Sequence, residues 1–216
     1  MILLQTPVVV ETAQPLSYFQ LFTKGGPIVI PILLLLVVSL YFFGERLFYF
    51  NITAKMDDRM LDDYIEMLRK GELKSVMDKT ARSRDGLSRV INYGLNSMGN
   101  SLADIERSLE SATGLEISRM EKNLGYLGII AGIAPMLGFI GTIAGIIQIF
   151  YDISLSDNIS IGIIAGGLYQ KMITSGLGLT VGVLAYSLYH ILTMRIDHFS
   201  LKLQERLLLF LSALQK

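Results

Sequence analysis

Among the polar side chains inside the long apolar stretches of this chain are Thr142, Gln170, Lys171, Thr174 and Ser175. Each type has its own use in a membrane. A hydroxyl can solvate an ion or hydrogen-bond its own backbone. A glutamine can hydrogen-bond but cannot give up a proton near neutral pH, and a lysine can pair with a carboxylate. Lys171 is the only charge between Asp157 and Arg195. On insertion scales a lysine at the bilayer centre costs roughly 2.5–3.5 kcal/mol. Such a residue has two outlets. Its ammonium can snorkel to an interface, or it can lie in a bundle interior, a polar lumen or against a partner carboxylate. Fourteen residues separate it from Asp157, about 21 Å of helix. A four-carbon stem spans that only if the helix begins outside the bilayer.

The neighbours of these groups are small. At about 100° per residue, Pro135, Gly138, Thr142 and Gly145 fall on one side of a helix. On the next apolar run Gly167, Lys171, Thr174, Ser175, Gly178 and Gly182 share a side. Gly128 with Gly132 and Gly141 with Gly145 make two GxxxG pairs. Small residues let helix backbones approach where lipid gives no hydrophobic driving force. Pro135 removes one backbone donor and predicts a bend or a packed, partly hydrated spot. The packing set is therefore Pro135, Gly138, Gly141, Gly145, Gly178 and Gly182. The remaining faces are rich in Ile, Leu, Val and Tyr.

The elements that carry these residues read as membrane spans. Of 216 residues 51% are hydrophobic and 18% charged, against about a quarter charged in soluble domains. Net charge is zero, so there is no basic field for nucleic acid. Cysteine is absent, which excludes disulfides, thiolate catalysis and cysteine metal sites. His190 and His198 are placed at a membrane–water boundary rather than at a metal. The spans hold no Ser/His, Asp/Asp or His/Glu set, so neither an enzyme nor a cofactor is expected.

Residues 25–50 form the first predicted span, 123–151 the second and 159–194 the third, with a short loop at 152–158. Residues 1–24 are an N-terminal segment that reads as a short leader rather than a cleaved signal peptide. Thirteen of the nineteen Lys and Arg lie between Arg46 and Lys122, and none lies between the second and third spans. The positive-inside rule then places 51–122 and the tail 195–216 inside and the N-terminus outside. The 51–122 region is predicted helical. Met60, Leu61, Tyr64, Ile65 and Leu68 recur at helical spacing, Gly71 is a stop, and further periodic runs start near Leu87 and Leu102.

The runs IAPMLGFIGTIAGIIQIF (133–150) and IAGGLYQKMITSGLGLTVGVLAY (164–186) resemble the ExbB/TolQ/MotA family of ion-driven motor subunits, ExbB and TolQ above all. GGPIVIP before the first span and the Glu45–Leu47 triplet after it resemble the ExbB pattern. The resemblance implies an all-α membrane protein with long cytoplasmic helical extensions. It also implies a pentamer around a central pore in the bacterial inner membrane. The implied partners are an ExbD-like single-span protein with a membrane Asp and a TonB-like protein. Thr142 matches the pore threonine of the second helix, and Ser175 that of the third. Two positions depart from the family. Gln170 stands where a glutamate is common, and Lys171 follows where a small or apolar residue is usual. A TolQ-like or gliding-motor stator and a non-conducting scaffold are the competing readings.

Overall fold

The computed structural model describes residues 25–56, 58–155 and 161–215. Among them are seven helices: α1 (Val29–Thr53), α2 (Asp58–Arg69), α3 (Leu73–Arg82), α4 (Gly86–Asn96), α5 (Leu102–Glu121), α6 (Leu124–Leu155) and α7 (Ile161–Leu214). The protein is all-α, and three of its helical stretches are long and apolar enough to cross a bilayer. The N-terminal segment, Asp57 and the last three residues of the predicted outer loop lie outside the described residues, and the first four residues of that loop are helical. α6 continues to Leu155, beyond the predicted end of the second span. α7 runs 54 residues without interruption through the predicted junction at 194, about 80 Å at 1.5 Å per residue.

The short helices have local causes. Asp85 caps α4, its carboxylate accepting from the Ser88 amide at 2.7 Å. Ser101 caps α5 by accepting from the Asp104 amide. Such caps satisfy amides that a helix start leaves orphaned. Gly71 follows α2 at φ +80°, a conformation glycine adopts without Cβ strain. α3 has no counterpart in the sequence reading. Only Val76 and Thr80 of this helix are fully buried, too few to impose a legible period.

Packing divides the molecule into two regions. α2–α5 gather around the lower half of α7 and the end of α1, with Leu61, Tyr64, Ile91, Leu109, Leu203 and Phe210 at the centre. The membrane region has a thin core of Ile32, Ile130, Ala134, Val181 and Ala185. Only 28% of the apolar windows of the second and third spans is buried within the chain. Ile129, Met136, Phe139, Ile147, Leu179 and Val183 all face outward. That distribution suits lipid and other protein, because water would penalise it.

α5 and α6 would be one helix but for Asn123, the only non-glycine among the described residues at positive φ (67°). Asparagine tolerates the left-handed region better than most residues. α1 braces this corner. Asn123 donates from Nδ2 to Glu45 Oε2 at 3.2 Å. Arg46 donates to the Arg119 carbonyl at 3.1 Å, a group the end of α5 would otherwise leave unpaired.

Candidate ion-path site between the two long membrane helices

α6 and α7 lie antiparallel, and each glycine on the shared face marks where something else fills the space. A Cβ on Gly178 would stand 2.6 Å from the Ala134 carbonyl oxygen and 2.9 Å from Gly138 Cα. One on Gly138 would stand 3.1 Å from Ser175 Cα and from two α7 carbonyl oxygens. These are backbone-to-backbone contacts. At Gly182 the Pro135 ring fills the notch, with its Cγ 2.5 Å from the Cβ position. Pro135 cannot donate to the Ala131 carbonyl, and that oxygen lies 3.0 Å from the Cβ position of Gly182. α6 nevertheless stays helical through the proline.

Above this zone the notches are filled by polar side chains. A Cβ on Gly141 would stand 2.8 Å from the Thr174 methyl. Gly145 faces the Lys171 stem, with Cγ, Cδ and Cε all 1.8–2.2 Å from where a Cβ would sit. The lysine stem therefore lies directly over a glycine of the opposite helix. Thr142, on the same level, donates to the Gly138 carbonyl at 3.2 Å and to the Lys171 carbonyl at 3.3 Å. One hydroxyl is shared between its own helix and its neighbour.

The structure thus brings Thr142, Lys171 and Gly145 into one layer. Thr174 belongs to a different setting. It is 1% exposed, and its hydroxyl donates to the Gly25 carbonyl at 2.7 Å, tying α7 to the entry of α1. Ser175 is half-buried, its backbone against Gly138. Gln170 lies within α7, and its side chain is outside the described set. No group of His, Asp and Glu that could hold a metal occurs among the described residues.

Sequence reasoning missed a second polar site, where α4 and α5 meet the end of α1. Glu116 is only 2% exposed. It accepts from Arg89 Nε at 3.1 Å and again from Arg89 Nη2. Arg119 lies 3.4 Å away. Arg89 Nη2 also reaches the buried Thr53 hydroxyl at 3.4 Å, so the cluster joins α4, α5 and the end of α1. Only the Glu116–Arg119 spacing hinted at it. The partner Arg89 is remote in sequence. Nearby, Tyr64 hydrogen-bonds Ser88 at 2.9 Å. Burial pushes its phenol above the usual range, the Ser88 bond pulls it down, and Asp85 and Asp63 raise it further.

With this geometry in hand, comparison with known proteins decides the family. Residues 73–205 match the model of the MotA/TolQ/ExbB proton channel family. The chain belongs to that family. The MotA/TolQ/ExbB match covers α3 to most of α7, and with it every residue of the α6–α7 layer. A protein of Methanothermobacter thermautotrophicus described as a biopolymer transport ExbB homolog is 28% identical over 186 residues. The alignment covers 84% of this chain and 64% of the relative, so the chain spans just under two thirds of that protein. As a MotA/TolQ/ExbB member with three spans, it is a multi-pass membrane protein.

Proposed function

We propose that the chain is an ExbB-like subunit of a proton-driven motor in the bacterial inner membrane. In this reading it forms a homo-oligomer, a pentamer on the family pattern, around a single-span ExbD-like partner that carries a membrane carboxylate. A TonB-like protein passes the motion to outer-membrane transport. The N-terminus is periplasmic and the C-terminus cytoplasmic. The observation that carries the reading is the Thr142 hydroxyl shared with the Lys171 carbonyl, in the layer where the lysine stem crosses Gly145. This is one hydroxyl and one cation at matched depth on the two helices of the family pattern.

The chemistry follows from charge. A proton crossing about 100 mV releases about 2.3 kcal/mol. A partner carboxylate in the pore is stable when protonated or when paired with a cation or hydroxyls. Thr142 and Ser175 solvate its ionised form, and Lys171 favours that form electrostatically. A ring of lysines also repels hydrated cations, so conduction passes through the partner carboxylate rather than through open water. Gln170 takes no proton, which leaves the titrating group on the partner.

Interhelical packing alone accounts for the glycines, and that supports a second reading, a scaffold that moves no ions. The two differ at Thr142. Reconstituted with its single-span partner, the Thr142→Val complex keeps its native mass and loses most proton flux in a vesicle dye assay. Full flux with normal assembly sinks the ion path. A TolQ-like or gliding stator would give the same result and separates by which outer partner co-purifies.

A further inference from the structure

We propose that Asp152 is the resting counter-charge of Lys171, bridged to it by the Gln148 amide, and that the lysine moves between this carboxylate and the partner's as the partner's loses and regains its proton. This rests on the ion-path reading above. Between Lys122 and Arg195 the chain has three charges, Lys171 and the two aspartates Asp152 and Asp157. Asp157 lies outside the described residues. A lysine among apolar helices needs a carboxylate, a carbonyl or water for its ammonium. In a homo-oligomer around a central partner every subunit contributes one lysine. An acid in the same chain gives each lysine its own counter-charge.

The packing of α6 on α7 sets the geometry. Thr142 donates to the Lys171 carbonyl, whereas the Lys171 stem lies over Gly145, three residues nearer the Leu155 end of α6. The stem therefore rises from its own backbone toward that end, which is the outer one in this reading. Helical side chains lean toward their own N-terminus, and α7 starts at that side. The next notch continues the register, since a Cβ on Gly167 would stand 2.6 Å from Ile149 Cγ1. Asp152 follows Gly145 by seven residues, so it shares that face within about 20°. It stands about 10 Å nearer the outside. Its helix runs the other way, and its side chain leans back toward the lysine. Gln148 stands between the two. Its Nε2 donates to Asp152 Oδ1 at 2.9 Å, which leaves its carbonyl oxygen to accept from an ammonium. Gln148 and Asp152 are exposed within the chain and Lys171 is half-buried, so water completes what the amide does not span.

Exchange follows from two carboxylates and one cation. With no Cβ at Gly145 the stem lies flush on α6 and is free to shift along it. While the partner carboxylate is protonated, the ammonium rests toward Gln148 and Asp152. When that carboxylate ionises, it competes with Asp152 for the same ammonium. Neither acid then holds the lysine permanently, and the ionised partner is stabilised without being trapped. Lys171 stays protonated throughout, and the proton that moves is the partner's.

The chain has no cysteine, so a single thiol reads the charge at the bridge. Gln148→Cys, in the full-length chain in membranes, is reacted with a cationic and an anionic methanethiosulfonate of similar size. A nearby unit charge changes such rates several-fold. Adding Lys171→Met should raise the ratio of cationic to anionic rate, and adding Asp152→Asn should lower it. No reaction at all, or a ratio that Lys171→Met leaves unmoved, overturns the pair. Proton flux of the reconstituted complex tests the exchange. Asp152→Asn leaves the lysine to the partner carboxylate alone and should cut flux roughly tenfold, the equivalent of one pKa unit on that carboxylate. Asp152→Glu should restore most of it. In a Lys171→Met background the same Asp152→Asn change should cost nothing further. Equal losses with and without the lysine overturn the exchange. Full flux in Thr142→Val would sink the ion path itself and leave the thiol result standing.

Discussion

At the residue scale, the glycines of the α6–α7 face are not equivalent, and the difference is testable. A methyl on Gly178 meets the Ala134 carbonyl and Gly138 Cα, which are backbone atoms with nowhere to go. For a methyl on Gly145 the three nearest atoms all belong to the Lys171 stem, which can swing aside. Overpacking of a rigid contact costs typically about 1–3 kcal/mol. Gly178→Ala should therefore lower the melting temperature in detergent clearly. Gly145→Ala should lower it little but displace the lysine and reduce proton flux. Adding Lys171→Ala to Gly145→Ala should remove the crowding and return the melting temperature to that of Lys171→Ala alone. An equal loss of stability from both glycine variants would mean the stem is not free to move. The spacing of these glycines was legible in the sequence. The occupant of each notch was not, because Pro135, Thr174 and Lys171 meet their glycines across two helices.

At the element scale, the helices outside the membrane are held by a charge cluster as well as by apolar packing. Removing Glu116 takes the shared carboxylate from Arg89 and Arg119, and because both guanidiniums are partly exposed the cost falls below the roughly 3–5 kcal/mol of a fully buried pair. Glu116→Ala should therefore loosen α4 from α5 and the end of α1, read as faster proteolysis between Arg82 and Lys122 with the membrane spans still protected. Unchanged cleavage would show that Leu109, packed against Gly94, holds the pair by itself. The sequence predicted α2, α4 and α5 from their apolar periods. It did not separate α3, whose buried positions are sparse. It gave no break of the helix at Asn123, because a single left-handed residue leaves no periodic trace.

At the scale of the whole molecule, α7 is the common strut, serving the thin membrane core at Val181 and Ala185 and the soluble core at Leu203 and Phe210. The soluble core also sets a pH limit. The Tyr64 phenol is held above its unfolded value near 10, chiefly by burial. A group whose folded value is raised contributes fully below the unfolded value and loses that contribution as pH rises through the folded one. Helix content or protease resistance of the soluble helices should thus fall above pH of about 10. Tyr64→Phe should flatten that alkaline slope while giving up the Ser88 bond. A slope unchanged in Tyr64→Phe would assign the alkaline loss to other groups.

Composition and charge spacing alone determined an all-α membrane protein with three spans, because hydrocarbon thickness and backbone satisfaction leave a chain of this pattern no other solution. The α6 and α7 motifs also carried the family. Tertiary structure decided what the polar residues touch. It placed Thr174 inside the subunit against Gly25 and the Lys171 stem over Gly145, and it shared the Thr142 hydroxyl between two helices. Periodicity reports which residues share a side of a helix. Only the positions of the other helices report which side is already taken.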